Sequence, residues 1–189
     1  MNSLLILLST FGIVFIAELG DKSQLMTISL ASKYHYRPVF WGIFLGMGLI
    51  TVIGVTVGTI LYQIIPVFYI KILAALIFLI FGILSFIKEE QETRKKVKKQ
   101  KVFTTSFFLA MVAELGDKTQ LVVIALTARF QDPYLVFIGA IAALALVIAA
   151  GVFLGTKLTK FIEKDKVDLI ASILFVILGI AFLIEIFFL

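Results

Sequence analysis

Two short strings carry nearly all of the chemistry this chain could perform. Residues 17–25 read AELGDKSQL and residues 113–121 read AELGDKTQL, each within a long apolar run. The donor atoms are carboxylate, amide and hydroxyl oxygens: Glu18, Asp21, Ser23 and Gln24 in the first box, Glu114, Asp117, Thr119 and Gln120 in the second. Oxygen-only donor sets suit hard cations such as calcium, magnesium or manganese. The chain has no cysteine, which excludes disulfides and thiolate metal sites. Its one histidine, His35, falls in an expected loop and reads as a solvated residue, so zinc and copper are poor candidates. Taken as ionised, Glu18, Asp21, Glu114 and Asp117 with Lys22 and Lys118 sum to −2. One divalent cation or two protons would neutralise that charge. Metal binding needs deprotonated carboxylates, so metal and protons should compete for such a site.

Charge of this kind is expensive inside a membrane. Exposed to lipid, the six charged residues would cost on the order of 15–20 kcal/mol. They must therefore face the interior of a helix bundle and one another. On an unbroken helix Glu18 and Asp21 share a face, and Glu18 and Lys22 stand in the favourable acid-first i, i+4 order. The strings also read as a helix break. Gly20 would end one half-helix, Asp21 would cap the next, and Gln24 would close the cap from its third position. Gly116, Asp117 and Gln120 repeat that pattern. A break would free backbone carbonyls, which membranes tolerate where the break lines a cavity. Both geometries stay open from the sequence. Ser23 and Thr119 are candidate ligands, but hydroxyls on membrane helices also bond back to the preceding turn. Lys22 and Lys118 would trim the charge and pair with the acids when the cation has left.

The elements that must position these boxes are membrane spans. The chain has 189 residues, 61% of them hydrophobic, and a mean hydropathy of +1.14. That is too much apolar surface for a water-facing fold of this size. Six segments are long enough to cross, at about Ser3–Ala31, Val39–Ile64, Val67–Ile87, Val102–Ala128, Tyr134–Thr156 and Val167–Phe188. The first and fourth contain the boxes. The N-terminus has no basic region and no cleavage site after it, so it reads as a span and not as a removable signal. The expected fold is an all-α integral membrane protein of six transmembrane helices.

The halves repeat. At an offset of 96, Phe11 falls on Phe107 and Glu18 through Leu25 on Glu114 through Leu121. At 97, Gly42 falls on Gly139, Gly54 on Gly151, Gly58 on Gly155 and Gly82 on Gly179. This divides the chain into a three-helix repeat (1–88), a basic linker (89–101) and a second repeat (102–189). An odd number of spans per half makes the repeat inverted, which would bring the boxes together near the midplane. Loops after spans one, three and five hold 13 of the 17 basic residues, and the other side holds only Lys71 and Arg129. The bias places the linker in the cytoplasm and both termini outside. It also accounts for the net charge of +5 without nucleic acid, although the linker would suit anionic lipid as well. Lys71 and Glu185 are expected at the interfaces. Small-xxx-small spacing (Gly42 with Gly46, Gly54 with Gly58, Gly139 with Ala143, Gly151 with Gly155) marks spans two and five for close helix contacts with partners left open.

The pattern Glu-x-Gly-Asp-[Lys/Arg]-[Ser/Thr], once per half in a six-span chain of this length, resembles the Gdt-type family of calcium/manganese transporters of Golgi, chloroplast and bacterial membranes. Both motifs match without departure, at Glu18 to Ser23 and at Glu114 to Thr119. The resemblance covers essentially the whole chain. It implies secondary transport of Mn²⁺ and/or Ca²⁺ in exchange for protons, with Glu18, Asp21, Glu114 and Asp117 as the metal residues. It also implies manganese export across a bacterial plasma membrane. The expected partners are the lipid bilayer, divalent cations and protons, with no cofactor beyond the transported ions. One chain suffices to build the site, and a homo-oligomer stays open. Three rival readings are a capped, salt-bridged break that only holds the bundle, a passive divalent-cation channel with an acidic ring, and a metal-dependent membrane enzyme. The enzyme is disfavoured, because no span core holds an arginine, a histidine or a nucleophile with its base.

Overall fold

A computed structural model of the chain describes residues 2–19, 21–85 and 101–161, together with residues 169, 172–173, 176–177, 179–181 and 183–184. Among these the chain is all helical. The helices are α1 (Ser3–Glu18), α2 (Lys22–Ala31), α3 (Tyr36–Ile64), α4 (Val67–Ser85), α5 (Val102–Glu114), α6 (Lys118–Phe130) and α7 (Pro133–Phe161). The scattered residues from 169 to 184 are also helical. They fall in the expected sixth span, most of which lies outside the described residues, as do Glu185 and nearly all of the 89–101 linker.

Helices α3 and α7 are each 29 residues long. At 1.5 Å per residue each is about 43 Å, more than a hydrocarbon core of about 30 Å. Among the described residues, two helices qualify as spans by length and apolar composition, within Tyr36–Ile64 and Pro133–Phe153. The segments expected as spans one and four are not single helices. Each is divided at its acidic box, into α1 with α2 and α5 with α6.

The ends of the long helices follow from local chemistry. Gln131 takes a left-handed conformation (φ 56°) just after α6. Asp132 Oδ1 then accepts the Leu135 amide at 3.1 Å, capping α7 ahead of a proline whose missing N–H costs nothing there. The equivalent position before α3 is His35. It is exposed, as expected, and its Nδ1 accepts the Arg37 amide at 3.4 Å. Ile65 is extended before Pro66 and separates α3 from α4.

Helix partners are exchanged between the halves. α3 packs along α5 and α6, α7 packs along α1 and α2, and α3 and α7 touch each other. The glycines show how closely. A methyl added at Gly42 would lie 2.6 Å from the Phe103 carbonyl oxygen and 2.8 Å from Ser106 Cβ. One added at Gly139 would lie 2.8 Å from the Leu7 carbonyl oxygen and 3.0 Å from Thr10 Cβ. Leu7 and Thr10 occupy the positions equivalent to Phe103 and Ser106, so one contact is made twice. Gly54 against Val123 and Gly151 against Thr27 form a second such pair. Spans two and five thus use their small residues to seat the box-bearing segment of the other half.

The surface is more apolar than that of a soluble protein, and carboxylates lie inside. Leu8 is 56% exposed and Val112 is 68% exposed, while Glu18 is 0% and Glu114 2% exposed. Large apolar side chains such as these cover the outside while the two glutamates lie inside, as a bilayer requires.

Candidate functional site

The backbone breaks put both boxes into one place. α1 stops at Glu18, and Leu19 (ψ 125°) and Asp21 (ψ 165°) are extended before α2 begins at Lys22. Gly20 itself lies outside the described residues. α5 stops at Glu114, Gly116 turns with φ +78°, and Asp117 (ψ 169°) precedes α6. A φ of that sign strains any residue with a β-carbon, which explains a glycine there. The broken alternative is therefore the geometry found, and the i, i+4 register of Glu18 with Lys22 does not exist. The Lys22 side chain lies outside the described residues.

The expected capping scheme needs correction. Asp21 and Asp117 do stand at the N-cap positions of α2 and α6, but neither side chain caps its helix. Asp21 Oδ1 instead meets Lys118 Nζ at 2.7 Å. A charged partner in a dry interior outweighs a backbone amide. Gln120 does reach back across its break, and its Oε1 accepts the Gly116 amide.

Carboxylates from both halves converge. Glu18, Asp21 and Glu114 are buried, and each offers an oxygen within 4.8 Å of the others. Oxygens on opposite sides of a hard divalent cation stand about 4–5 Å apart, so one ion fits among them. The Ser23 hydroxyl donates to Glu18 Oε2 at 2.8 Å, and Thr119 lies beside the same carboxylate. Glu18 Oε1 is buried without a hydrogen-bond partner. An uncompensated buried carboxylate oxygen is costly, and a cation would satisfy it. Asp117 lies outside the trio and is half-buried, near Lys118. Gln24 is buried on the first turn of α2.

Of the ten residues expected at the site, the structure gathers Glu18, Asp21, Ser23, Glu114, Lys118 and Thr119 around one point. Ser23 holds a carboxylate and does not bond to the preceding turn. That habit belongs to Thr27, Thr51 and Thr127, which bond to the carbonyls of Ser23, Met47 and Val123. Sequence reasoning missed the contribution of α3. Met47 and Thr51 line a small cleft with Glu114, Thr119, Gln120 and, from α7, Leu144. A hydroxyl in mid-span was the available signal for Thr51, and Met47 had none.

Comparison with known proteins bears on this geometry. The chain matches the family described as "Divalent cation/proton antiporter GDT1" over residues 6–93 and 102–188. A "GDT1-like protein" of Synechocystis sp. is 29% identical over 190 residues, covering 89% of this chain and 91% of that one. A chloroplastic "GDT1-like protein 2" of Oryza sativa is 28% identical, covering 92% of this chain and 59% of that one. A Vibrio cholerae protein named "Putative manganese exporter" is 28% identical over 63% of this chain and 60% of its own length. No solved structure matches.

Proposed function

The chain belongs to the GDT1 family of divalent cation/proton antiporters, and from that premise we propose that it carries Mn²⁺ or Ca²⁺ across the plasma membrane, out of the cytosol, through the site between its two boxes. The family is one of membrane transporters and not of enzymes. One observation carries the assignment of the site: three buried carboxylates from the two halves, Glu18, Asp21 and Glu114, converge to within 4.8 Å. Two protons balance the same −2 charge when the ion is absent, which couples the two fluxes. Manganese is favoured over calcium by the name of the Vibrio relative.

The working cycle follows from the layout. Each half contributes a three-helix unit, 1–88 or 102–189, entering from opposite faces. The recurrence of the Gly42–Ser106 contact as Gly139–Thr10 supports this inverted arrangement. Alternating exposure of the site would come from rocking one unit against the other. The basic residues of the linker support a cytoplasmic position for that loop, with both termini outside.

The test is transport in proteoliposomes. With a pH gradient imposed, Mn²⁺ or Ca²⁺ should move against its own gradient, and Glu18→Gln or Glu114→Gln should stop it. Divalent flux indifferent to the pH gradient would instead describe a passive channel.

A further inference from the structure

The ion pair between Lys118 and Asp21 crosses from one half to the other, and it changes the charge count at the point of convergence. Glu18, Asp21 and Glu114 alone present −3, and the Lys118 ammonium at 2.7 Å from Asp21 reduces this to −2. Extending the count to Asp117 and Lys22 leaves the total at −2. Asp21 is buried, so little solvent screens the pair.

We propose that Lys118 sets the valence of the transported ion: it is a resident positive charge that makes a divalent cation, and not a trivalent one, the neutralising occupant. This rests on the reading of the carboxylate trio as the cation site. The role falls to a lysine of the second box acting on an acid of the first, so the charge of the site is set across the two halves. Lys118 is a positioning and specificity residue; its ammonium would repel the ion it admits while leaving the trio with a net charge of −2 to hold it.

The physical expectation is a shift in preference. One more uncompensated negative charge, about 4–5 Å from the ion in a partly buried site, should favour a trivalent over a divalent cation by at least about tenfold. The experiment measures La³⁺ competition against Mn²⁺ binding to the purified full-length protein. In Lys118→Met the ratio of La³⁺ to Mn²⁺ affinity should rise at least about tenfold over wild type. In Asp21→Asn the ratio should fall by a similar factor. The double variant Lys118→Met/Asp21→Asn, and Lys118→Arg alone, should stay near the wild-type ratio. A lysine that served only to hold the fold would change stability or total binding and leave these ratios alone. Equal ratios across the variants that bind Mn²⁺ overturn the proposal. If Lys118→Met does not fold, Asp21→Asn and the double variant still decide it, because only a valence effect separates their ratios. Undiminished Mn²⁺ binding by Glu114→Gln would be a different failure, that of the site itself.

Discussion

Ser23, the second residue of α2, donates its hydroxyl hydrogen to Glu18, the last residue of α1, at 2.8 Å. The bond bridges the break in span one and fixes one oxygen of a buried carboxylate whose other oxygen has no hydrogen-bond partner. Glu18 is thereby held in one orientation before any ion arrives. Ser23→Ala should raise the KM for Mn²⁺ about tenfold, the order expected when a hydrogen bond to a charged group is lost. Ser23→Thr keeps the hydroxyl and should stay close to wild type. Initial rates of Mn²⁺ uptake into proteoliposomes give both numbers.

The acids of the boxes should not be equivalent. Glu18→Gln or Glu114→Gln should reduce Mn²⁺ transport by more than about a hundredfold, above the range typical of groups that only support a metal ligand. Asp117, outside the trio, should cost about tenfold or less as Asp117→Asn. The same uptake assay ranks the three, and an Asp117 variant as impaired as the glutamate variants would require a four-carboxylate site.

Proton competition has a definite sign. Protonation removes the charged oxygens that hold the metal, so apparent affinity for Mn²⁺ should fall as pH falls. A titration of Mn²⁺ binding at several pH values checks this. Replacing Glu114 by glutamine removes one proton site, so any binding that survives should depend less steeply on pH.

Two glycines make a stability contrast. A methyl at Gly12 would meet nothing within 4 Å, so Gly12→Ala should cost nothing and gain up to about 0.5–1 kcal/mol from helix propensity. Gly42 is pressed against the backbone of α5, and Gly42→Leu should destabilise by about 1–3 kcal/mol through overpacking. Thermal unfolding in detergent should separate the two variants, and no shift for Gly42→Leu would mean that the α3–α5 contact is looser than described.

What the sequence disclosed was local. The boxes, and a break at each as one of two open geometries, follow from residues a few positions apart: a glycine, an aspartate at the next helix start, a glutamine three further on. The small-residue spacing likewise marked spans two and five as close-packing helices, because that pattern is written along one helix. What each helix meets is not local. That Gly42 seats Ser106 and Gly139 seats Thr10 depends on how two distant segments approach. The fate of Asp21 shows the limit best. At a helix start the local rule makes it a cap, yet a lysine 97 positions later claims its carboxylate. Met47 and Thr51 reach the edge of the site through the same long-range packing, and the Thr51 hydroxyl was the one local sign of it.

The extended residues at each box also have a mechanical meaning. Helical hydrogen bonds run within α1, α2, α5 and α6, and among the described residues the backbone bonds across the joints are short turns, from the Asp21 amide to Glu18 at 3.3 Å and from the Asp117 amide to Glu114 at 3.1 Å, braced by the side chains of Ser23 and Gln120. A swivel about Leu19–Asp21 or Leu115–Asp117 would leave every full helical turn intact. Each joint is three residues long, and Glu18, Asp21, Glu114 and Asp117 sit at the joints, where a small angular change alters their spacing most directly.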